Sequence, residues 1–380
     1  MPQVRILPRA LYETRQPEAM KKQTRSKAWR TAVIVAVLTR LLFFAVAWLG
    51  SIFLDGSSER GALELWDRWD VGIFLRIAEG GYGGEADPHS TAFMWGFPLA
   101  VRLMATLLGD FLVAGLVVNF LASIVALHYI YRLAEETVGT GKGSKAAIYL
   151  ALFPTAVFLV APYSEALFLA GAIGAFYHAK KGQLFWTSAA AALAMSARLA
   201  GVFLLLGIAA ELLVRGTSYL RTTMVITVGS LPIVGYMAFL KMTRGDPFYF
   251  LVDQELGWGR MFVGPIDSLR ATIEGAVTST GAQYITWSAE LLGALIAIIA
   301  VALAVRRREW GYATYMASFT AALLTSTWYL SIPRMLLTYF PIQLGLAGRL
   351  NGLGHSLWLA ASTALAVVGV AVFTRGGWFF

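Results

Sequence analysis

Two aspartates placed beside tryptophans are the residues of this sequence best suited to chemistry. Asp67 and Asp70 follow Trp66 and Trp69 in the stretch LWDRWDVGIFLRIAEGGY, and a helix would set the two carboxylates one turn apart. Carboxylates flanked by aromatic residues at a membrane surface are costly to desolvate, and they rarely lack a function. This stretch therefore suggests an enzyme that works at the face of a membrane.

The composition indicates which kind of secondary structure must position these two aspartates. The chain has 380 residues, of which 58% are hydrophobic and 14% are charged, against about 25% charged in soluble domains. Apolar runs long enough to cross a bilayer recur along nearly the whole length, which predicts an all-α polytopic membrane protein. The absence of cysteine excludes a disulfide framework and thiolate metal sites. The net charge of +9 follows the positive-inside pattern, so nucleic acid is not an expected partner.

Charge distribution predicts the topology. Residues 1–30 are expected to form a disordered basic tail in the cytoplasm, resting on anionic membrane lipids, and residues 31–375 are expected to form a single transmembrane domain. About eleven spans fit the apolar pattern. They are 31–54, 111–131, 146–160, 165–179, 184–197, 199–214, 222–241, 284–305, 311–331, 335–349 and 356–373.

Two long connections are expected outside, at 55–110 and 243–283. In the first, Ala62–Glu79 is expected to be an amphipathic helix lying in the membrane interface. Its apolar stripe would consist of Trp66, Trp69, Ile73 and Ile77. Phe93–Leu108 is expected to be a second interfacial or re-entrant helix, because a crossing there would move the later basic loops to the wrong side.

The same topology places most polar groups between apolar runs on the outer side. They are Asp67, Asp70, Tyr163, Ser164, Glu165, Arg198, Arg334 and the 246–260 loop. We therefore expect any chemistry on the extracytoplasmic face.

Six segments, in order, resemble a known family. LWDRWDVGIFLRIAEGGY is followed by TAFMWGFPLAVRL, APYSEALF, SARLAGV, GDPFYFLVDQELGWGR and SIPRMLLTYFP. This ordered set, over roughly residues 60–345, resembles the PIG-V family, the second mannosyltransferases of GPI-anchor synthesis together with their prokaryotic relatives.

The resemblance implies a glycosyltransferase with the GT-C fold. Such an enzyme transfers mannose, with inversion, from a polyprenyl-phosphate-mannose donor to a glycolipid acceptor at the extracytoplasmic membrane face. The chain is short against eukaryotic members, which favours the plasma membrane of a bacterium or archaeon; a eukaryotic member would lie in the endoplasmic reticulum membrane. Another GT-C activity, with a different sugar or a protein acceptor, is the nearest alternative.

Under this resemblance Asp70 is expected to be the general base that takes the acceptor proton. Asp67 is expected beside it, as a supporting residue, an acceptor ligand or the base itself. Arg198, Arg334 and Arg260 are candidates for binding the donor phosphate, since guanidinium matches phosphate geometry. The alternative for these arginines is snorkelling to lipid headgroups.

Further residues are candidates for binding substrate. Tyr163, Ser164 and Glu165 begin a span, and Glu165 can orient the sugar, pair with an arginine or act as a helix N-terminal carboxylate. Gln254 and Trp258 are candidates for lining the sugar or lipid entry; the alternative for Trp258 is an interfacial anchor.

No cofactor is expected. Asp67 and Asp70 are able to hold Mg²⁺ or Mn²⁺ together with a substrate phosphate. The resemblance disfavours a metal, because arginines suffice for a lipid monophosphate. Two non-enzymatic classes also fit a polytopic chain, a secondary lipid or sugar transporter and a lipid-binding scaffold or flippase subunit. A transporter is expected to show two related halves, and no internal repeat is visible.

Overall fold

The computed structural model describes residues 18–54, 60–82 and 89–379. Within these residues the chain is helical, and its one β contact is an isolated bridge between Phe262 and Ser326. The helices are α1 Glu18–Phe53, α2 Asp70–Gly80, α3 Gly96–Leu108, α4 Phe111–Thr137, α5 Gly143–Ala151, α6 Glu165–Lys180, α7 Leu184–Ala197, α8 Gly201–Val214, α9 Tyr219–Arg244, α10 Tyr249–Trp258, α11 Pro265–Thr278, α12 Gly281–Arg306, α13 Trp310–Leu323, α14 Ile332–Met335, α15 Pro341–Arg349 and α16 Gly352–Thr374.

The expected all-α polytopic membrane protein is confirmed. Five helices of the described chain, α1, α4, α9, α12 and α16, are long and apolar enough to cross a bilayer. Helices α3, α7 and α8 are apolar but shorter. The expected number of about eleven spans, and a single domain over 31–375, stay predictions.

Helix α6 lies inside the bundle and packs against α4, α7 and α8. Small residues allow this close approach. A Cβ on Gly171 would lie only 2.6 Å from the backbone nitrogen of Ala194 in α7. Small residues of this kind are typical of helix contacts in membranes, where backbones gain dispersion energy by approaching each other.

Two of the expected spans are broken. The expected 146–160 span consists of α5 and a 3₁₀ turn at Ala156–Leu159, separated by Pro154. The expected 335–349 span consists of α14, a 3₁₀ turn and α15, which begins at Pro341. Proline removes a helix hydrogen bond and clashes with the preceding turn, so neither span continues as one helix.

Buried polar side chains satisfy the carbonyls that the first break exposes. Arg40 of α1 donates from Nη2 to the Leu159 carbonyl at 2.8 Å, and Ser123 of α4 donates to the same oxygen at 3.1 Å. Asn119 of α4 donates to the Ala161 carbonyl. Irregular backbone inside a membrane protein persists where protein groups replace water in this way.

The expected interfacial helix over Ala62–Glu79 is wrong. A 3₁₀ turn at Glu64–Trp66 is followed by a reversal at Trp69, whose φ is 55°, and the helix begins only at Asp70. The predicted apolar stripe is also wrong, because Trp66 is fully buried whereas Trp69 is 47% exposed.

Three other boundaries differ from expectation. The second helix expected within 55–110 begins at Gly96 rather than Phe93. The expected 311–331 span ends as α13 at Leu323. Helix α1 begins at Glu18, so the prediction of a disordered tail over residues 1–30 is wrong for residues 18–30. The Ala, Lys and Gln residues of this stretch favour a helix. Residues 1–17 lie outside the described residues.

Candidate active site

Side chains from four separate elements meet at one end of the bundle. Asp70 is the first residue of α2, Glu165 is the first residue of α6, Arg198 joins α7 to α8, and Arg334 lies in α14. We call these four residues the charged cluster. Each member stands at or next to a helix boundary, so the packing of the helices fixes where its side chain points.

Glu165 lies at the centre of the charged cluster and is fully buried. Its Oε1 atom accepts a hydrogen bond from Arg334 Nε at 2.5 Å and forms a salt bridge with Arg198 Nη1 at 2.6 Å. Of the three alternatives for Glu165, the structure therefore shows pairing with arginine. Charged hydrogen bonds of this length are strong, and removing one partner would leave an uncompensated buried charge.

Arg334 bridges the buried carboxylate of Glu165 and the more accessible carboxylate of Asp70. Its Nη1 atom donates to Asp70 Oδ2 at 3.1 Å while Nε is held by Glu165. The guanidinium carbon lies 4.6 Å from the centre of the Phe158 ring and 4.5 Å from that of Tyr163. Cation–π contacts with these rings add to the two ion pairs in fixing the orientation of the guanidinium.

Asp70 is the carboxylate of the charged cluster that solvent can reach, with 17% of its side chain exposed against 0% for Glu165. Its backbone N–H donates to the Tyr163 hydroxyl at 3.3 Å. Burial, and secondarily the charge of Asp70, raise the pKa of the Tyr163 phenol well above its usual value, so this hydroxyl stays protonated. The start of a helix also favours a carboxylate electrostatically.

Ser164 contributes a hydrogen bond to the charged cluster. Its hydroxyl oxygen accepts a hydrogen bond from Arg198 Nη1 at 3.1 Å, and it is buried. The structure thus gives Ser164 an arginine partner, and Tyr163 contacts both Asp70 and Arg334.

The turn that carries Arg334 is held by two residues. Ser331 adopts φ 63°, which is uncommon outside glycine. Buried Glu290 of α12 accepts the N–H groups of Ser331 at 2.7 Å and Ile332 at 2.8 Å through its two carboxylate oxygens. Arg260 Nη2 donates to the Leu330 carbonyl at 2.8 Å on the other side of the turn.

Arg260 therefore lies beside the charged cluster and binds the backbone carbonyl of Leu330. Burial, with Arg334 nearby, lowers the pKa of Arg260 to about 10, so it remains a cation at neutral pH. Glu290 was not among the residues predicted from the sequence. A signal for it existed, because a lone acid within an otherwise apolar span is expensive and usually partnered.

The remaining candidates lie outside the charged cluster. Asp67 is exposed and precedes the Trp69 reversal, so the two aspartates do not share one helix. Gln254 Nε2 donates weakly to the Ala92 carbonyl at 3.4 Å, and Trp258 packs edge-on against Phe93. Both residues therefore hold α10 against the segment before α3.

A further buried acid in this loop contact was also not predicted. Asp253 of α10 accepts hydrogen bonds from the Thr91 N–H at 3.1 Å and the Thr91 hydroxyl at 2.5 Å. His89 approaches its other oxygen at 3.9 Å. Asp253 therefore joins α10 to the segment before α3. No local signal in the sequence marks it, because Gln254 and Glu255 beside it are also polar.

A narrow cleft leads from the protein surface to Asp70. It is lined by Trp69, Asp70, Phe158, Tyr163, Arg334, Phe373, Trp378 and Phe379. Its free space holds about one water molecule. The lining combines a carboxylate and a guanidinium with aromatic rings, an arrangement able to bind a ligand that carries hydroxyl groups and a negative charge.

Divalent metals are held in proteins by several carboxylates or imidazoles together. Among the described residues, no group of three or more His, Cys, Asp or Glu side chains lies close enough to form such a site.

The fold and the site define an integral membrane protein built of helices, with a buried arginine–carboxylate cluster opening into an aromatic cleft at one end. Residues 41–224 match the family model described as Mannosyltransferase (PIG-V). The chain is thus PIG-V-like, and the resemblance predicted from its motifs is confirmed. Asp70, Glu165 and Arg198 lie inside the matched region, whereas Arg334 lies outside it.

Curated relatives agree with the family match. Proteins named GPI alpha-1,6-mannosyltransferase 2 are 35% identical over 146 residues in Cricetulus griseus, 36% over 149 residues in Homo sapiens and 35% over 128 residues in Mus musculus. The matches with the first two cover 36% of this chain and 29% of each relative, so the chain spans under a third of their length.

Proposed function

We propose that this protein is a mannosyltransferase that moves a mannosyl residue from a polyprenyl-phosphate donor to a lipid-linked acceptor. The family match and the names of the relatives support the sugar and the lipid-linked acceptor. The mechanism rests mainly on the guanidinium of Arg334. This group donates one hydrogen bond to the accessible carboxylate of Asp70 and another to the buried carboxylate of Glu165.

In this proposal Asp70 is the general base. The acceptor oxygen attacks the anomeric carbon, its proton passes to the Asp70 carboxylate, and the bond between that carbon and the phosphate oxygen breaks. One displacement inverts the configuration. A carboxylate next to the reacting carbon also stabilises the positive charge that develops on the sugar.

Arg334 and Arg198 bind the donor phosphate. Arg334 uses Nε and Nη1 for Glu165 and Asp70, and within the described chain its Nη2 has no acceptor. The charge on the leaving polyprenyl phosphate grows as the bond breaks, so fixed guanidinium donors stabilise the transition state more than the bound donor. Arg260, which binds the Leu330 carbonyl, supports Arg334 in this role.

We place this chemistry on the extracytoplasmic face of a bacterial or archaeal plasma membrane, in a GT-C fold. The distribution of Lys and Arg supports this orientation. In this arrangement Asp67 lies on the exposed turn before Trp69, outside the charged cluster, and Gln254 and Trp258 hold α10 against the segment before α3.

The test uses purified protein with polyprenyl-phosphomannose and a glycolipid acceptor extract, with products identified by mass. Asp70→Asn keeps the size of the side chain and removes the base, so transfer is expected to fall by about 10²- to 10⁴-fold while thermal unfolding stays cooperative. Asp67→Asn is the matched control and retains transfer. Full-rate transfer by folded Asp70→Asn protein would overturn the proposed mechanism.

A further inference from the structure

Helix α11 carries exposed apolar side chains along one of its faces. Ile266, Leu269, Ile273 and Val277 recur three or four residues apart and are 71%, 40%, 45% and 76% exposed. We call these four residues the apolar face of α11. The apolar stripe of a helix normally packs on the core of its own protein, whereas the described chain leaves this one uncovered.

The face that α11 turns towards the protein consists instead of small residues. Ser268 and Thr272 are fully buried there. Thr272 Oγ1 accepts a hydrogen bond from the Tyr329 N–H at 2.9 Å. Just before the helix, the Val263 N–H donates to the Thr325 carbonyl at 2.9 Å. These bonds to the chain between α13 and α14 fix which way α11 faces.

A third face of α11 is charged. Asp267, Arg270 and Glu274 are exposed and also recur three or four residues apart. At 3.6 residues per turn, the apolar face falls between the face packed on the protein and this charged face. Apolar and charged faces side by side are typical of a helix that lies in a membrane interface, with one face among acyl chains and the other in water.

The neighbouring span places α11 at the end of a bilayer crossing. Helix α11 ends at Thr278, and α12, which is long and apolar enough to cross a bilayer, begins at Gly281. The Trp287 ring of α12 lies close over Gly275 of α11, where an added Cβ would be 2.6 Å from the indole. Helix α11 therefore lies beside the first two turns of α12, so lipid around this end of α12 also surrounds α11.

We propose that α11 is an interfacial helix that docks into the lipid surface. Its apolar face lies among the acyl chains just below the headgroups, and its charged face meets water. The occupant of the apolar face is lipid because α11 lies at the bilayer end of a span. The charged face carries Asp267, Arg270 and Glu274, which give it no excess of positive charge, so zwitterionic lipid suffices.

Docking of α11 also bears on the charged cluster. The chain between α13 and α14 is bound by α11 through Thr272 and by α12 through Glu290, and Arg334 follows it in α14. The depth of α11 in the lipid therefore sets the height of Arg334 relative to the headgroups, where the phosphate of a membrane lipid lies. This consequence rests on the proposed function, whereas the docking itself does not.

The docking is tested by the accessibility of single spin labels, because the chain contains no cysteine. Leu269→Cys and Ile273→Cys report on the apolar face, and Arg270→Cys and Glu274→Cys are the matched neighbours on the charged face. Each labelled protein is placed in phosphatidylcholine vesicles, and collisions of the nitroxide with oxygen and with a water-soluble nickel chelate are measured. The oxygen-to-nickel ratio is expected to be about tenfold higher on the apolar face, since acyl chains exclude the chelate.

Three results would overturn the docking. Equal ratios on the two faces would mean that α11 lies wholly in water or wholly in hydrocarbon. Labels at Leu269 and Ile273 that neither reagent reaches would mean that protein covers the apolar face. A high ratio that needs phosphatidylglycerol in the vesicles would mean that charge holds the helix. Each variant must first unfold as cooperatively as the wild type; if one does not, Ile266→Cys and Asp267→Cys form a second pair with the same expected difference.

Transfer assays in the same vesicles then test the link to Arg334. Ile273→Ser is expected to raise KM for the mannosyl donor about threefold through a shifted turn, whereas Glu274→Ser leaves it unchanged. A lipid-facing Ile273 with no transfer by wild-type protein would leave the docking standing and overturn the proposed function. Transfer by wild-type protein with equal ratios on the two faces would do the reverse.

Discussion

Glu165 and Glu211 each lie between two cations, and the two sites differ in burial. Glu165 binds Arg198 and Arg334, whose side chains are 15% and 9% exposed. Glu211 of α8 binds Lys180 at 2.8 Å and Arg215 at 3.0 Å, with side chains 16% and 42% exposed. Arg334 additionally reaches a second carboxylate, Asp70, and no second carboxylate joins the Glu211 site among the described ion pairs.

The difference shows what burial contributes. At Glu211 one partner, Arg215, lies on the same helix and is 42% exposed, so water replaces that partner at small cost. At Glu165, which is fully buried, the two partners come from two distant parts of the chain and are 15% and 9% exposed, so water replaces neither of them well. The same kind of ion triad is therefore partly hydrated in one place and holds a rigid, oriented guanidinium in the other.

The largest expected effect compares the two glutamates directly. Glu165→Gln leaves two buried guanidiniums short of a counter-charge and is expected to lower the free energy of unfolding by about 3–5 kcal/mol. Glu211→Gln is expected to lower it less, by about 1–2 kcal/mol, because Arg215 is 42% exposed and is solvated when the charge is lost. Thermal unfolding in detergent, followed by tryptophan fluorescence, measures both. Equal losses would contradict the comparison.

The next effect concerns the geometry of the cation. Arg334→Lys keeps the charge but cannot bind Glu165 and Asp70 at once, so kcat/KM for transfer is expected to fall by about 10²- to 10³-fold. Arg215→Lys at the other site is the matched control, with less than about a twofold change expected. Wild-type kinetics with Arg334→Lys would show that charge alone suffices.

A smaller effect is expected for the residue that holds the Arg334 turn. Glu290→Gln replaces one acceptor oxygen by an amide that faces a backbone N–H, and the misplaced turn is expected to lower kcat/KM about tenfold, mainly through the donor KM. The exposed Glu274→Gln on α11 is the control and is expected to have no effect. A Glu290→Gln enzyme with an unaltered donor KM would argue against this positioning role.

The smallest effect separates the two aspartates of the first loop. Asp67 is exposed and outside the charged cluster, so Asp67→Asn is expected to change transfer by no more than about twofold. The measurement is the same transfer assay used for Asp70→Asn. A loss as large as that of Asp70→Asn would make Asp67 a second functional acid.

The residues of the charged cluster were predictable because each one is out of place in its segment. A carboxylate or guanidinium beside apolar runs is expensive, and this cost together with the family resemblance pointed to Asp70, Glu165, Arg198 and Arg334. The cost alone was not sufficient, because Glu290 shares it and was missed. Their common face followed from the charge pattern of the loops. The local geometry of the first loop was not predictable, because helical spacing alone does not reveal the reversal at Trp69 that separates the two aspartates.

Contacts between segments that are far apart in the chain could not be predicted from the sequence. Glu290 holds a turn about 40 residues further along the chain, with separations of 41 and 42 residues in the two hydrogen bonds, and Trp69 meets Gly377 across 308 residues. Periodicity reports only neighbours on one element, so it carries no information on such pairs. The breaks at Pro154 and Pro341 were readable from proline, but the side chains that satisfy the exposed carbonyls were not.

The sequence by itself determined that this is a helical membrane protein with acids and arginines in apolar surroundings, because the cost of burying charge and the length of a bilayer span are properties of composition. Its ordered motifs showed the resemblance to the PIG-V family. Only the tertiary structure decided which acid meets which arginine, that Asp70 and not Asp67 joins them, and that aromatic residues after α16 line the cleft. These outcomes depend on how helices far apart in the chain pack, and packing is a property of the assembled molecule.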